Sequence, residues 1–217
     1  MSQGNTRLRR ASRHAARCLI GATAAVLLAG TARAQDVTPS GPPPDRRLAG
    51  TLVAYAEHLT AQDEFGSSDL RLSAVYLRYE MRARSGWPHR IAFGGELGLH
   101  GSGGTVQYLF DPSTYATDAS GFSTSAFARV HAFGSPRFDL FVEGAGGFIK
   151  FGEPFPPNGT VINGLLRYGA GARVALSRRV AAEAGYRHAH ISNGMGLVPL
   201  NPSFDGNGAF AGVAIRF

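Results

Sequence analysis

Residues 164 to 176 read Gly-Leu-Leu-Arg-Tyr-Gly-Ala-Gly-Ala-Arg-Val-Ala-Leu, and their polarity alternates with a period of two. Leu166, Tyr168 and Val174 share one parity, whereas Arg167 and Arg173 share the other. Because successive side chains of a β-strand point to opposite faces, the pattern predicts a strand with one apolar and one charged face. Soluble sandwiches also alternate in this way, so further features must decide the fold.

Similar segments recur along the chain and predict eight strands. The predicted strands cover residues 48–58, 69–83, 90–100, 121–133, 138–150, 164–176, 180–192 and 208–217. The connections alternate between long (59–68, 101–120, 151–163 and 193–207) and short (84–89, 134–137 and 177–179). Outer-membrane barrels combine short periplasmic turns, long extracellular loops and an even number of strands. The sequence therefore predicts an eight-stranded antiparallel transmembrane β-barrel.

The N-terminal part supports export. Residues 1–34 contain a basic segment, an apolar run too short to span a membrane as a helix, and the cleavage-site pattern Ala32-Arg33-Ala34, which together predict a signal peptide. We expect residues 35–47, which are rich in proline, to form a flexible periplasmic lead-in, and residues 48–217 to form the barrel. A final alternating strand that ends in Phe217 resembles the assembly signal of bacterial outer-membrane proteins, so we expect that location.

The charge of the chain argues against a nucleic-acid partner. The predicted signal peptide holds six of the 22 Lys and Arg residues and none of the 15 Asp and Glu residues, which leaves 16 basic against 15 acidic residues after it. The basic character therefore disappears when the signal is removed. Cys18, the only cysteine, lies in the same segment, so we expect neither disulfides nor thiol chemistry in the barrel.

A closed sheet satisfies every backbone polar group inside lipid, and an eight-stranded barrel is narrow enough for side chains to fill. Charged residues occur on the predicted inner faces of most strands, and we expect them to pair there and to leave no solute pore. These candidates are Arg78, Glu80, Glu96, Arg129, Glu143, Arg167, Arg173, Glu183 and Arg187.

The seventh predicted strand carries the residues with chemical potential. His190 and Ser192 are two positions apart and so share one face, which is the relation that a base and a serine nucleophile need. Glu183 and Arg187 lie on the other parity, so His190 and Ser192 are predicted to face lipid. Because the strand leads into a long loop, the pair should lie at the outer leaflet and its substrate should be a membrane lipid.

Two other interpretations of this segment remain open. His188, His190, Ser192 and Asn193 could form a polar fringe where the strand leaves the hydrocarbon. His188 and His190 could also chelate a metal, but no third ligand follows at a suitable spacing. No cofactor motif is present, and we expect neither a metal nor a cofactor.

The segment His190-Ile191-Ser192-Asn193, preceded by Tyr186-Arg187 and followed by Asn201-Pro202, resembles the signature of the PagL-type lipid A 3-O-deacylases and the related acyloxyacyl hydrolases. These are eight-stranded outer-membrane barrels that remove an ester-linked acyl chain from lipid A. The motif covers residues 183–217 and the architecture covers residues 48–217. The resemblance implies that Ser192 is the nucleophile and His190 the general base.

The resemblance also implies an orienting acid and an oxyanion donor. The family usually has Glu as its acid, whereas this chain offers Asp205, four residues after Asn201, if one residue is inserted in the loop. A loop Asp before Gly206 could equally be a turn former. Asn193 corresponds to the oxyanion donor, and Gly194 or Gly196 would supply a backbone N–H.

We therefore expect an outer-membrane serine esterase that removes a 3-O-linked hydroxyacyl chain from the lipid A of lipopolysaccharide. The alternative is a non-catalytic small barrel with a structural or surface-interaction role. His190 and Ser192 side chains that pointed apart, or into the lumen, would favour the alternative. The sequence leaves the oligomeric state open, with a homodimer among the states considered.

Overall fold

A computed structural model describes residues 48–62, 66–83, 90–109, 111–135, 137–193 and 202–217. The predicted signal peptide (1–34) and lead-in (35–47) lie outside the described residues, as do Gly194, Gly196 and Asn201. No helix in the described part of the chain is long and apolar enough to cross a membrane.

The described residues form ten strands, of which eight are long. They are β1 (Leu48–Ala61), β2 (Gly66–Ser68), β3 (Arg71–Ala83), β4 (Ile91–Tyr108), β5 (Thr114–Thr117), β6 (Ser120–Gly134), β7 (Phe138–Phe151), β8 (Ile162–Ala175), β9 (Val180–Ser192) and β10 (Phe204–Arg216). Each long strand pairs antiparallel with its neighbours along the chain, and β1 pairs with β10, so the sheet closes. The predicted eight-stranded antiparallel barrel is confirmed.

Two predicted loop boundaries are wrong. Residues 101–120 are mostly strand, because β4 continues to Tyr108 and carries the short strands β2 and β5 on its extension. This part of β4 is rich in glycine and polar residues and has no apolar face, since it extends beyond the lipid-facing part of the wall. The last strand begins at Phe204 instead of residue 208, which places Asp205 in β10 and excludes the turn-forming role considered for it.

The outer wall is apolar over most of its height. Large hydrophobic side chains project outward from neighbouring strands; they include Leu77, Leu97, Leu99, Phe122, Val142, Phe148, Leu166, Tyr168 and Tyr186, each at least half exposed. An outward apolar band on a closed barrel is the surface that a bilayer covers. The predicted inward and outward parity of β8 is confirmed, with Leu166 52% exposed and Arg167 only 1% exposed.

The middle of the barrel holds a network of buried ion pairs. All nine charged residues predicted for the interior are buried, and Glu57 joins them as a tenth that the sequence did not single out. Arg129 illustrates the pattern, because its guanidinium lies 2.7 Å from Glu143, 3.0 Å from Glu183 and 3.3 Å from Glu80. It also stacks over Phe141, with its central carbon 3.7 Å from the ring centroid. The five arginines of the network therefore face five glutamates.

Apolar side chains replace charged ones at the loop end of the interior. A buried cluster there consists of Leu59, Leu70, Leu72, Val106, Ala119, Ile149, Phe151, Phe155, Leu165, Ala189, Ile191 and Phe204. Ala189 and Ile191 come from β9 and Phe204 from β10, and all three are at most 1% exposed. Packing against this cluster anchors the loop ends of β9 and β10, so their outer faces have a fixed register.

The network generates a prediction about stability. Replacing Arg129 by leucine removes the partner of three buried carboxylates, and breaking a buried pair in this way typically costs about 3–5 kcal/mol. We expect the free energy of unfolding in phospholipid vesicles to fall by that amount, measured by urea titration with tryptophan fluorescence. Arg71→Leu, at an exposed position of β3, is the control and should change it by no more than about 0.5 kcal/mol. Equal small losses in both variants would contradict this account.

Candidate active site

His190 and Ser192 project from the outer wall at the loop end of β9. Ser192 is the last residue of the strand, and the residues of opposite parity, Ala189 and Ile191, are fully buried inside the barrel. His190 Nε2 lies 3.0 Å from Ser192 Oγ, which is hydrogen-bond distance. The side chains therefore point together and away from the lumen.

Asp205 completes a chain of three groups. It is the second residue of β10, and its Cα pairs directly with that of His190. Asp205 Oδ1 lies 2.7 Å from His190 Nδ1. An ionised carboxylate can only accept, so Nδ1 carries the proton, and Nε2 of the neutral ring then accepts from the Ser192 hydroxyl. Direct pairing brings Cβ atoms within about 4.5–5.5 Å of one another, which explains why the short Asp side chain reaches the ring.

Two further residues lie beside the carboxylate. Ser203 was not singled out from the sequence, and His188 was considered there only as a polar fringe residue or a metal ligand. Ser203 donates a hydrogen bond from Oγ to Asp205 Oδ2 at 3.0 Å. His188 Nε2 lies 3.6 Å from Asp205 Oδ1, and its Nδ1 is held 3.1 Å from Asn207 Oδ1. The available signal for Ser203 was its spacing of two residues from Asp205.

The side chains of the site differ in how far they are exposed on the outside of the barrel. The His190 side chain is 39% exposed and the Asp205 side chain 15% exposed. The carboxylate is thus shielded by its neighbours, whereas the imidazole and hydroxyl remain accessible from outside the barrel. Gly164 of β8 pairs with Ser192 and leaves the space beside the hydroxyl open, since a Cβ there would meet only the Ser192 carbonyl oxygen, at 3.5 Å.

Asn193 follows Ser192 and is buried, with 5% of its surface exposed. Neither its side-chain oxygen nor its side-chain nitrogen has a hydrogen-bond partner among the described residues. A buried amide without partners costs free energy, so this side chain has unused hydrogen-bonding capacity. The glycines considered as backbone donors, Gly194 and Gly196, lie outside the described residues.

A second outward His–Ser pair gives an internal comparison. His58 of β1 and Ser73 of β3 pair directly, and His58 Nδ1 lies 2.8 Å from Ser73 Oγ. Within the described part of the chain, no carboxylate bonds to His58, whereas His190 contacts both an acid and a hydroxyl. No group of three or more metal-ligating side chains occurs among the described residues.

The chain resembles solved bacterial barrels in fold. Neisserial surface protein A superposes with a TM-score of 0.53 at 17% identity, covering 77% of this chain and 97% of that protein. The outer membrane enzyme PagL superposes with a TM-score of 0.51 at 16% identity, covering 73% of this chain and 97% of that protein. This chain is an outer-membrane β-barrel. No protein-family model matches it, and neither does any curated protein.

The hydrogen-bond order predicts the tautomer of His190. We expect the neutral ring to carry its proton on Nδ1, because Asp205 accepts there and Ser192 donates to Nε2. Ring nitrogen-15 spectra of labelled protein, assigned with His190→Gln, measure this directly. Asp205→Ala should remove the preference for Nδ1, whereas Ser73→Ala should leave the His190 signals unchanged. A wild-type ring protonated only on Nε2 would contradict the proposed hydrogen-bond order.

Proposed function

We propose that this barrel is an outer-membrane serine esterase that removes an ester-linked 3-O-hydroxyacyl chain from the lipid A of lipopolysaccharide. The observation that carries the proposal is the hydrogen-bonded series Asp205–His190–Ser192 on the outward face of the wall. An acid that orients an imidazole, which in turn contacts a hydroxyl, is the arrangement of serine hydrolases on unrelated folds. The similarity of residues 190–193 to the PagL-type motif adds the substrate class.

The position of the series supports a lipid substrate. Ser192 ends β9 and Asp205 begins β10 next to a long connection, and long connections in such barrels are extracellular. The hydroxyl therefore faces the outer leaflet near the level of the lipid headgroups. Lipopolysaccharide supplies acyl esters at this level, close to its sugar backbone. A water-soluble ester does not partition into the membrane, so it would not concentrate at the lipid-facing wall of the barrel.

In the first half of the proposed reaction, Ser192 Oγ attacks the ester carbonyl carbon and His190 Nε2 accepts the hydroxyl proton. Asp205 stabilises the imidazolium that forms and keeps the ring aligned. The bond from the carbonyl carbon to the sugar oxygen then breaks, and His190 returns the proton to that oxygen. The products are an acyl–Ser192 ester and a free sugar hydroxyl. Proton transfer by a positioned base of this kind contributes about 10²- to 10⁴-fold.

In the second half, a water molecule attacks the acyl–Ser192 carbonyl carbon while His190 accepts one of its protons. The bond from the carbonyl carbon to Ser192 Oγ breaks, and His190 returns the proton to Oγ. A hydroxy fatty acid leaves, and the enzyme is regenerated without a cofactor. The 39% exposure of His190 is consistent with water reaching the ring from the extracellular side.

Asn193 is the proposed oxyanion donor. Its buried side-chain amide follows the nucleophile directly and has no partner in the described part of the chain. A substrate carbonyl that becomes an oxyanion would satisfy this donor, and removing one such donor typically costs about 10²- to 10³-fold in kcat. The unpaired amide supports this role.

The outer surface next to Ser192 suits the released acyl chain. Gly164 leaves a gap beside the hydroxyl, and the nearby outward side chains are apolar: Phe148 is 68% exposed, Ile162 56% and Leu166 52%. Phe148 pairs with Gly164, and Leu166 pairs with His190, so these side chains flank the gap. A hydroxyacyl chain can lie against them while its ester remains at the hydroxyl.

The proposal predicts a mass change in lipid A. Expression of the wild type in a host with hexa-acylated lipid A should remove one hydroxyacyl group, as measured by mass spectrometry, whereas Ser192→Ala should leave lipid A intact. Ser73→Ala is the matched control, because it deletes an outward serine that also contacts a histidine but lacks an acid. This control should retain full activity.

Unchanged lipid A with a wild-type barrel that is folded in the membrane would contradict the proposal and favour the non-catalytic alternative. Loss of activity in Ser73→Ala as strong as in Ser192→Ala would also contradict it. Heat-dependent electrophoretic mobility reports whether each variant is folded, so a folding defect and a chemical defect can be told apart.

Asp205 provides a separate test of the mechanism. Asp205→Asn keeps the shape of the side chain but no longer fixes the correct tautomer of His190, and the equivalent change in a serine protease lowers kcat by about 10⁴-fold. We expect a loss of about 10²- to 10⁴-fold in deacylation rate in detergent micelles. Asp205→Glu keeps the carboxylate and should lose less than Asp205→Asn. A fully active Asp205→Asn enzyme would show that the acid has no role in the reaction.

A further inference from the structure

The end of the barrel opposite the candidate active site opens into a cavity of about 1090 Å³. The short turns of the barrel lie at this end, so the cavity opens toward the periplasm. Its lining contains an unusual density of arginine. Six of these residues, named here the mouth arginines, are Arg82, Arg90, Arg137, Arg178, Arg179 and Arg216.

Strand parity places Arg82, Arg90 and Arg216 on the lumen side of the wall, and the other three mouth arginines line the same cavity. Arg82, Arg90 and Arg216 each lie two positions from an inward residue, namely Glu80 (1% exposed), Ala92 (0%) and Ala214 (3%). Arg137 precedes Asp139, which bonds to the inward His131, and Arg178 and Arg179 lie in the turn before β9. Binding of lipid headgroups around the barrel therefore does not explain their direction.

Most of this positive charge is uncompensated. Arg82 pairs with Asp139 at 3.5 Å, and Glu80 is already engaged by Arg129 and Arg173. Among the described residues, Arg90, Arg137, Arg178, Arg179 and Arg216 make no ion pair. Like charges gathered around one opening repel each other and are a cost to the folded state. An anion bound in the cavity would remove that cost.

His131 gives an independent indication of a ligand. It lines the cavity, is 4% exposed, and its Nδ1 bonds to Asp139 Oδ2. Its Nε2 is buried and has no hydrogen-bond partner in the described part of the chain. Buried polar atoms are nearly always paired, so an unpaired ring nitrogen in a cavity lining suggests a partner that binds there. When protonated, the ring donates from both nitrogens, to Asp139 and to an anionic ligand.

We propose that this cavity binds a soluble periplasmic anion that carries at least two phosphate groups. Arginine favours phosphate because its planar fork donates two parallel hydrogen bonds to phosphate oxygens. The mouth arginines come from the ends of β3 and β10 and from the segments just before β4, β7 and β9, so they surround the opening and can hold more than one phosphate. The cavity volume of about 1090 Å³ lies just above the usual range of small-ligand sites, which is about 300–1000 Å³, and exceeds the need of a single phosphate ion. This site is separate from the proposed esterase site and does not depend on it.

The proposal is tested by calorimetric titration of the full-length barrel, purified in a non-ionic detergent at low salt. Pyrophosphate should bind saturably, and inorganic phosphate should bind at least about tenfold more weakly. In the Arg137→Gln/Arg179→Gln double variant we expect pyrophosphate affinity to fall by about tenfold or more, as lost charge-assisted hydrogen bonds imply. Added sodium chloride should weaken binding, because it screens these exposed charges.

Two further variants make the result specific. Arg71→Gln removes an exposed arginine at the other end of β3 and should leave the affinity unchanged. His131→Phe keeps an aromatic ring next to Phe141 but removes Nε2, and it should weaken binding by several-fold. Both substitutions in the double variant are at exposed positions, so the variant is expected to fold, and heat-dependent mobility verifies this.

Three outcomes would overturn the proposal. The first is no saturable heat with pyrophosphate, and the second is equal affinity in the wild type and the double variant. The third is that the barrel does not bind pyrophosphate but does bind cardiolipin, a lipid with two phosphates, when it is placed in nanodiscs that contain this lipid. That result would assign the arginines to the inner leaflet instead of to a soluble ligand.

Discussion

Closure of the sheet by the pairing of β1 with β10 is the constraint on which the rest of this structure depends. A lipid environment offers no hydrogen bonds, so every strand edge within it must be paired, and only a closed barrel achieves this with strands. Closure also assigns each residue to the lumen or to the lipid by its parity alone. One register therefore places arginine and glutamate inside, leucine and phenylalanine outside, and His190 and Ser192 on the membrane side of the wall.

The interior has three layers along the barrel axis, and they differ in the kind of side chain that they contain. Apolar side chains at the loop end hold β9 and β10 in register beneath the candidate active site. Paired arginines and glutamates fill the middle, where each charge has a partner and several guanidiniums stack on aromatic rings. At the turn end Arg82 still pairs with Asp139, but the other five mouth arginines make no ion pair among the described residues and surround a cavity. The charges in the middle of the barrel are neutralised by their partners and stabilise the structure. Those of the mouth arginines are mostly not neutralised and are available to a ligand.

The sequence was sufficient to predict features that depend on the two-residue alternation of polarity along a strand. It was insufficient for features that depend on which strands and side chains pair in the folded barrel. Alternation identified the eight long strands, the nine interior charges and the outward face of His190 and Ser192. It missed Glu57, although this residue has the inward parity of Val53 and Tyr55; its ion pair with Arg187 becomes visible only in the folded barrel. It also missed the start of β10, since Ser203, Asp205, Gly206 and Asn207 have the composition of a turn. The strand conformation of residues 204–207 comes from pairing with β9 on one side and β1 on the other.

The position of Asp205 shows how pairing changes the chemistry that is available. A carboxylate in a loop would need a long side chain to reach His190, and loop motion would weaken its hold on the ring. In β10 the same residue stands directly opposite His190, with Ser203 fixing the other carboxylate oxygen. A strand position thus compensates for the missing methylene, because the backbone hydrogen bonds, and not the side chain, bring the acid to the base. Asp205, although shorter than a glutamate, therefore reaches His190 in the register that the barrel imposes.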